Sequence, residues 1–233
     1  YSKPALPVLC WVAALARRQG DRIPVRLVKG AYWDTEIKHA QMMGVETYPV
    51  YTRKEGTDVC YLACARFLLS DYAQGNIFPQ FASHNAHTVA SILNMGDENG
   101  AEYEFQRLHG MGDALYSVVM GEVPKVPVRI YAPVGAHKDL LPYLVRRLLE
   151  NGANSSFVHR LVDAETPIED LIGHPADALR AHNSLPDLRI PRPPEIYGSE
   201  RRNSRGHNLA VLSDLRPFQQ GLERWSEHQW KAA

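Results

Sequence analysis

The chain has 233 residues, enough for one sizeable core or for most of one large domain. Lys+Arg and Asp+Glu each number 26, so the formal net charge is zero, and 45% hydrophobic with 22% charged residues is ordinary for a soluble globular protein. Bulk charge therefore gives no pull toward nucleic acid or an anionic membrane, and no apolar stretch approaches the roughly 20 residues of a membrane-spanning helix.

The amino terminus, Tyr1-Ser2-Lys3-Pro4, has neither an initiator Met nor a signal-peptide pattern, and the chain is expected to be a piece of a longer one. Leu6 to Arg18 reads as an amphipathic helix with Val8, Leu9, Val12, Leu15 and Ala16 on one stripe, stopped by Gly20. Pro24 to Gly30 reads as a strand, followed by a helix from Thr35 to Met43 that Gly44 ends, and by a second helix from about Thr57 to Leu69. The same succession then repeats. Strands are expected at Ile77–Ala82, Tyr103–Leu108 and Val126–Ala132, each leading into a helix: Ala86–Leu93, Asp113–Met120 and Lys138–Glu150. Strands separated by helices of this length form parallel βα units. Four such units fit half of an eight-fold βα barrel or a doubly wound sheet, and no glycine-rich dinucleotide fingerprint follows any strand. From about Pro167 the sequence turns rich in Pro, His, Asn and Arg, with Pro186, Pro191, Pro193 and Pro194 interrupting any long element; this is a linker composition. Leu209 to Trp230 reads as a possible helix beyond it. Cys10, Cys60 and Cys64 are too few for a disulfide framework, which suits a reducing cytoplasm, and Cys60 and Cys64, four apart on one helix, are expected to be small buried hydrophobes rather than a redox or metal pair.

In βα barrels the chemistry sits at the C-terminal ends of the strands. Those ends carry Ala31, Tyr32 and Trp33; Ser83, His84 and Asn85; His109 and Gly110; and Tyr131. Aromatic, imidazole and amide groups on one rim suit a large planar ligand with polar edges, although strand-end polar residues are also ordinary loop formers. On the last helix Tyr143, Arg146 and Arg147 stand at i, i+3 and i+4 and share a face, where two guanidinium groups beside a ring would take a carboxylate with an apolar body. A solvated basic face, with Glu150 as the i+4 partner of Arg146, explains the same pattern. His84 and His87 have no third metal ligand nearby in sequence, and Asp34 and Glu36 are explained as partners of a helix N-terminus.

Several segments together resemble the proline dehydrogenase domain of bacterial bifunctional proline-utilisation flavoproteins: Arg26 to Asp34 (RLVKGAYWD), Tyr48-Pro49 with Thr52-Arg53-Lys54, Pro79 to Thr88 (PQFASHNAHT), Glu104 to Gly112 (EFQRLHGMG), Arg129 to Gly135 (RIYAPVG) and Tyr143 to Ala153 (YLVRRLLENGA). Their order and spacing match that family from the first residue to about Asp163, and Glu195 to Gly206 (EIYGSERRNSRG) is similar to the entry into its aldehyde dehydrogenase domain. The resemblance implies an α/β fold, the C-terminal half of a (βα)8 barrel over residues 1–163, a linker over 164–206 and the start of the aldehyde dehydrogenase domain over 207–233. It implies FAD as cofactor and oxidation of L-proline to Δ1-pyrroline-5-carboxylate, with a hydride passing from proline C5 to flavin N5 and electrons then going to a membrane quinone. By this resemblance Arg146 and Arg147 hold the proline carboxylate, Tyr131, Tyr143 and Leu108 pack around the ring, and Tyr32 lies beside them. Arg26 approaches the isoalloxazine near N5, and Val28, Gly30, Trp33, Thr52, Lys54, His84, Asn85, Gln106, Arg147 and Glu150 line the FAD.

The resemblance further implies a NAD-dependent aldehyde dehydrogenase in the parent chain, a DNA-binding module before the barrel in some members, a homo-oligomer, and a cytoplasmic enzyme attached peripherally to a membrane. A half barrel is expected to leave an apolar interior open and to be inactive alone. Two other readings compete: a non-catalytic carboxylate-binding or assembly module, and a barrel lyase or aldolase using Lys29 as a Schiff base, which the direction of Lys29 would decide.

Overall fold

The computed structural model of the chain describes residues 1–152 and 172–231, and of residues 148–152 the backbone alone. The boundary expected at 163–164 and the change of composition at Pro167 lie outside the described residues. The chain divides into two compact units, Tyr1–Trp33 with Val50–Asp187, and Asp34–Pro49 with Leu188–Ala233.

The larger unit opens with α1 (Ala5–Gln19), which ends where Gly20 takes φ 75°. Leu9, Ala13 and Ala16 are its buried face, while Val8, expected on that stripe, is 52% exposed. Four parallel strands follow: β1 (Ile23–Leu27), β2 (Ile77–Ala82), β3 (Glu104–Leu108) and β4 (Val128–Tyr131). They lie side by side in chain order, β1-β2-β3-β4. A doubly wound sheet requires a point where the order reverses, whereas a closing barrel adds each strand to the same side. The unbroken order is therefore the barrel's. The first strand stops at Leu27 rather than Gly30, where φ reaches 110° and the chain turns.

Between the strands run α3 (Lys54–Leu68), α4 (Ala86–Asn99) and α5 (Asp113–Glu122), with α6 (His137–Gly152) after β4. Asn85 caps α4, its Oδ1 accepting the Thr88 N–H at 2.9 Å. This helix runs six residues past the expected Leu93 because Gly96 gives it room beside the Tyr103 ring, and it ends at Gly100 with φ 58°. A short helix, α7 (Pro175–Arg180), packs on α3.

The strands alternate between two unlike faces. Leu27, Ile77, Phe81 and Phe105 point into a core shared with the helices, with Tyr61, Leu68, Ile92 and Tyr116. Phe81, Tyr103, Phe105 and Tyr116 form a chain of edge-to-face rings with centroids 5.6–5.8 Å apart between the directly successive rings Phe81–Tyr103, Tyr103–Phe105 and Phe105–Tyr116. Arg26, Gln80, Glu104, Gln106 and Arg129 occupy the alternate positions and face the other way, in two adjacent rows: Arg26, Gln80 and Glu104 in one, Gln106 and Arg129 in the next. The expectation of an apolar barrel interior is thus corrected: on the described strands this face is polar, and its groups are joined by hydrogen bonds.

In the smaller unit the stretch after Leu188 is hydrogen-bonded to the end of α2 (Trp33–Met43), whose first residue belongs to the larger unit. Asn203 Nδ2 donates to Gln41 O at 2.6 Å and the Gly206 N–H to Met43 O at 2.8 Å. A Cβ on Gly44 would meet the Ser204 carbonyl, so this approach requires glycine there. The last helix, α8 (Leu212–Trp225), is shorter at both ends than the expected Leu209–Trp230.

Candidate active site

The C-terminal ends of β1, β3 and β4 gather a connected group. Arg26 on β1 donates from Nε to Gln106 Oε1 on β3 at 2.7 Å, and its guanidinium lies 5.1 Å from the centre of the Tyr131 ring at the end of β4. Leu108 stands in register with Tyr131 and is buried. The Arg147 guanidinium lies 5.3 Å from the Tyr143 ring centre. Burial raises the pKa of the Tyr143 phenol, the neighbouring Tyr131 adds to the rise, and Arg147 and Arg26 pull against it. Arg146, one position back on α6, donates to the Tyr32 hydroxyl at 3.0 Å and stacks 4.7 Å from that ring's centre. The buried Nε of Arg146 has no hydrogen-bond partner among the described residues, which leaves donor capacity for an acceptor.

His84, after β2, accepts the Leu108 N–H on Nε2 at 3.2 Å. Burial lowers its pKa, and the cations Arg107, Arg147 and Arg26 lower it further, so this imidazole is neutral at pH 7. It is therefore tied to both β3 and the arginine group.

The remaining candidates are held in other ways. Trp33 donates from its indole to Tyr51 O at 2.7 Å. Thr52 Oγ1 accepts the Asp187 N–H at 2.9 Å. Lys54 pairs with Asp58 at 2.5 Å. Asn85 gives its oxygen to the α4 cap, which accounts for its place without a ligand. Val28 is exposed beyond β1, and Gly30 lies against the Tyr1 ring, where a Cβ would collide. Among the described residues no hydrogen bond or ion pair joins Trp33, Thr52, Lys54 or Asn85 to the arginine group. The side chain of Glu150 lies outside the described residues.

Two clusters escaped the sequence reading. Glu104 accepts Gln80 and Gln106 amides and a two-pronged contact from Arg129 on the inner face. A period-two run of polar residues at 104 and 106, opposite 26, 80 and 129, was the available signal. Lys29 turns to the helices, donating to Asp58 Oδ1 at 2.5 Å on α3 and to Thr88 Oγ1 at 3.2 Å on α4. This direction removes the Schiff-base reading, since the amine faces the helix layer and is ion-paired. Cys64 is a core residue as expected, Cys60 is half-buried, and Cys10 is exposed. Among the described residues no group of three or more His, Cys, Asp or Glu is arranged to hold a metal ion.

The donor set is thus cationic and aromatic, with a neutral imidazole and oriented amides. It fits a planar, polyfunctional, anionic ligand beside a carboxylate. The proline dehydrogenase family model matches residues 1–160. The chain belongs to the proline dehydrogenase family. Bifunctional protein PutA of Klebsiella aerogenes is 49% identical over 244 aligned positions, which cover 100% of this chain and 18% of that protein. Proline dehydrogenase 1, mitochondrial, of Homo sapiens is 34% identical over 168 positions, 69% of this chain and 27% of the human one. A crystal structure of a bifunctional proline utilization A (PutA) protein matches with a TM-score of 0.88 at 48% identity, covering 100% of this chain and 23% of that one. The chain spans about a fifth of the length of these two PutA proteins. With that match the four-stranded sheet is part of a TIM-barrel-like domain.

Proposed function

We propose that this chain supplies the substrate-carboxylate clamp and part of the flavin site of an FAD-dependent proline dehydrogenase, which oxidises L-proline to Δ1-pyrroline-5-carboxylate. The observation that carries the reading is the paired arginines of α6, Arg146 and Arg147, each stacked on a tyrosine beside the Arg26–Tyr131 contact. Planar guanidinium groups bind a carboxylate through paired hydrogen bonds. The flanking Tyr32, Tyr131, Tyr143 and Leu108 offer an apolar wall to a pyrrolidine ring. FAD, when bound, supplies the hydride acceptor. The protein's part is to fix the carboxylate so that one carbon of the ring meets the acceptor, and positioning of this kind accounts for much of the rate. Arg26 places a fixed positive charge where reduction puts negative charge. Val28, Gly30, Trp33, Thr52, Lys54, His84, Asn85, Gln106 and Glu150 would line the cofactor.

By the same reading the electrons leave to a quinone at a membrane, and the product passes to a fused NAD-dependent aldehyde dehydrogenase whose first residues are 207–233, after a linker over 164–206. A DNA-binding module, a homo-oligomer and peripheral membrane attachment of a cytoplasmic enzyme belong to this proposal as well.

The test is proline-dependent dye reduction by the protein at its full natural length, beside Arg146→Ala and Arg147→Ala. Loss of one charged hydrogen-bonding group costs about 1.5–3 kcal/mol, so each variant is expected to lose roughly tenfold to hundredfold in kcat/KM, mainly through KM, with flavin retained. A colourless folded protein that ignores proline overturns the reading and favours a non-catalytic carboxylate-binding module.

A further inference from the structure

The inner face of the sheet holds a carboxylate that the proposed chemistry does not use. Glu104, on β3, is 2% exposed. Its Oε1 accepts the Gln80 amide at 2.9 Å, the Gln106 amide at 2.8 Å and Arg129 Nε at 2.8 Å, and its Oε2 accepts Arg129 at 2.8 Å. An ionised carboxylate only accepts hydrogen bonds, so Gln106 must turn its NH2 toward Glu104. Its carbonyl oxygen is thereby directed the other way, where it accepts Arg26 Nε at 2.7 Å. A Gln106 amide flipped by half a turn would set its donors against those of Arg26 and its oxygen against Glu104. The carboxylate therefore fixes the amide, and the amide fixes the arginine. Only the Nε edge of Arg26 is engaged in this way, and among the described residues its terminal nitrogens make no hydrogen bond. Its guanidinium plane is steadied against Tyr131 at 5.1 Å.

We propose that Glu104 is a positioning residue that acts through Gln106 to hold the Arg26 guanidinium toward the flavin. The inference rests on the reading given above, in which Arg26 faces that cofactor. It makes a prediction opposite in sign to that of simple charge. Removing a negative group near a flavin favours the reduced, more negative form and raises its midpoint potential. Releasing Arg26 withdraws a positive group and lowers the potential.

The experiment uses the flavin-loaded protein at its full natural length. The midpoint potential is measured in Glu104→Gln, which keeps length and removes charge, and in Glu104→Asp, which keeps charge and withdraws the oxygens from Gln106. Arg26→Gln is the reference for complete loss. Both Glu104 variants are expected at a more negative potential than the unsubstituted protein. Combining either with Arg26→Gln should add little, since coupled residues are not additive. In steady state kcat falls about tenfold while KM for proline stays within about twofold, because the carboxylate clamp on α6 is untouched. An unchanged potential in Glu104→Asp with a rise in Glu104→Gln overturns the proposal and makes Glu104 a through-space charge only. Loss of flavin or of fold in both variants also overturns it, in favour of a general structural role; where one variant fails to fold, the other decides. Failure of the underlying reading shows separately, in an unsubstituted protein that carries no flavin or does not reduce dye with proline.

Discussion

Lys29 shows what a single buried charge demands of its neighbours. The amine is 27% exposed and Asp58 is 14% exposed, and the pair meets at 2.5 Å. Burial lowers the Lys29 pKa and Asp58 acts against that fall. At Asp58 burial pushes the carboxyl upward, but Lys29 and Lys54 outweigh it and hold it below its ordinary range. Asp58→Asn leaves Lys29 buried and charged, so it is expected to cost about 3 kcal/mol at pH 7, read by denaturant unfolding. Adding Lys29→Met should recover most of that loss. A carboxyl depressed in the folded state stabilises above its unfolded pKa of about 3.9 and loses that contribution as pH falls through the lower folded value. The gap between the unsubstituted protein and Asp58→Asn should therefore be full at neutral pH and narrow below about pH 4. A gap that stays constant down to pH 2 would mean that Asp58 is not ionised in the fold.

Two glycines on successive helices should respond to the same substitution with opposite signs. Gly96 in α4 would place a Cβ 2.4 Å from the Tyr103 ring, which sits edge-to-face with both Phe81 and Phe105 and has no room to swing. Overpacking of that kind outweighs the better helix propensity of alanine, and Gly96→Ala is expected to destabilise by about 1–2 kcal/mol. Gly121 in α5 has nothing within 4 Å of a built Cβ, so Gly121→Ala should stabilise by about 0.5 kcal/mol. Melting curves of the two variants test this directly; equal shifts would mean that Tyr103 is free to move.

Most elements were legible in the sequence because they are announced locally, as where Gly20 and Gly44 end helices; the end of α4 at Gly100 was not, since it depends on Gly96 fitting beside Tyr103. Ile77–Ala82 is bounded as the residue pattern predicts. The shared face of Tyr143, Arg146 and Arg147 was legible for the same reason, as helix spacing within one element. Other features depend on contacts across the sheet and could not be read. The polar inner face requires β1, β2, β3 and β4 to be aligned in register before Arg26, Gln80, Glu104, Gln106 and Arg129 become neighbours. The direction of Lys29 likewise depends on α3 bringing Asp58 to it. Val8 departs from the expected stripe because it stands one position wide of the face that α1 turns to the core.

At the scale of the larger unit, the proposed flavin residues come from β1 and the loop after it, the segment leading into α3, the loop after β2, β3 and α6, which are far apart in sequence. A ligand that touches all of them binds the folded state and not the unfolded one, and so adds stability by mass action. With free FAD at a hundredfold excess over its Kd, the protein at its full natural length should gain about 2.7 kcal/mol over the flavin-free form. Arg26 separates this linkage from ordinary packing. Its side chain is exposed apart from the bond to Gln106, so Arg26→Gln should cost the flavin-free protein no more than that one hydrogen bond, about 0.5–1.5 kcal/mol. The same substitution weakens the cofactor's hold and should reduce the flavin-dependent increment. Thermal unfolding of both forms with and without FAD gives four values, and their double difference is the Arg26–flavin coupling. A double difference of zero would place Arg26 away from the cofactor, and its contacts with Gln106 and Tyr131 would then serve the sheet alone.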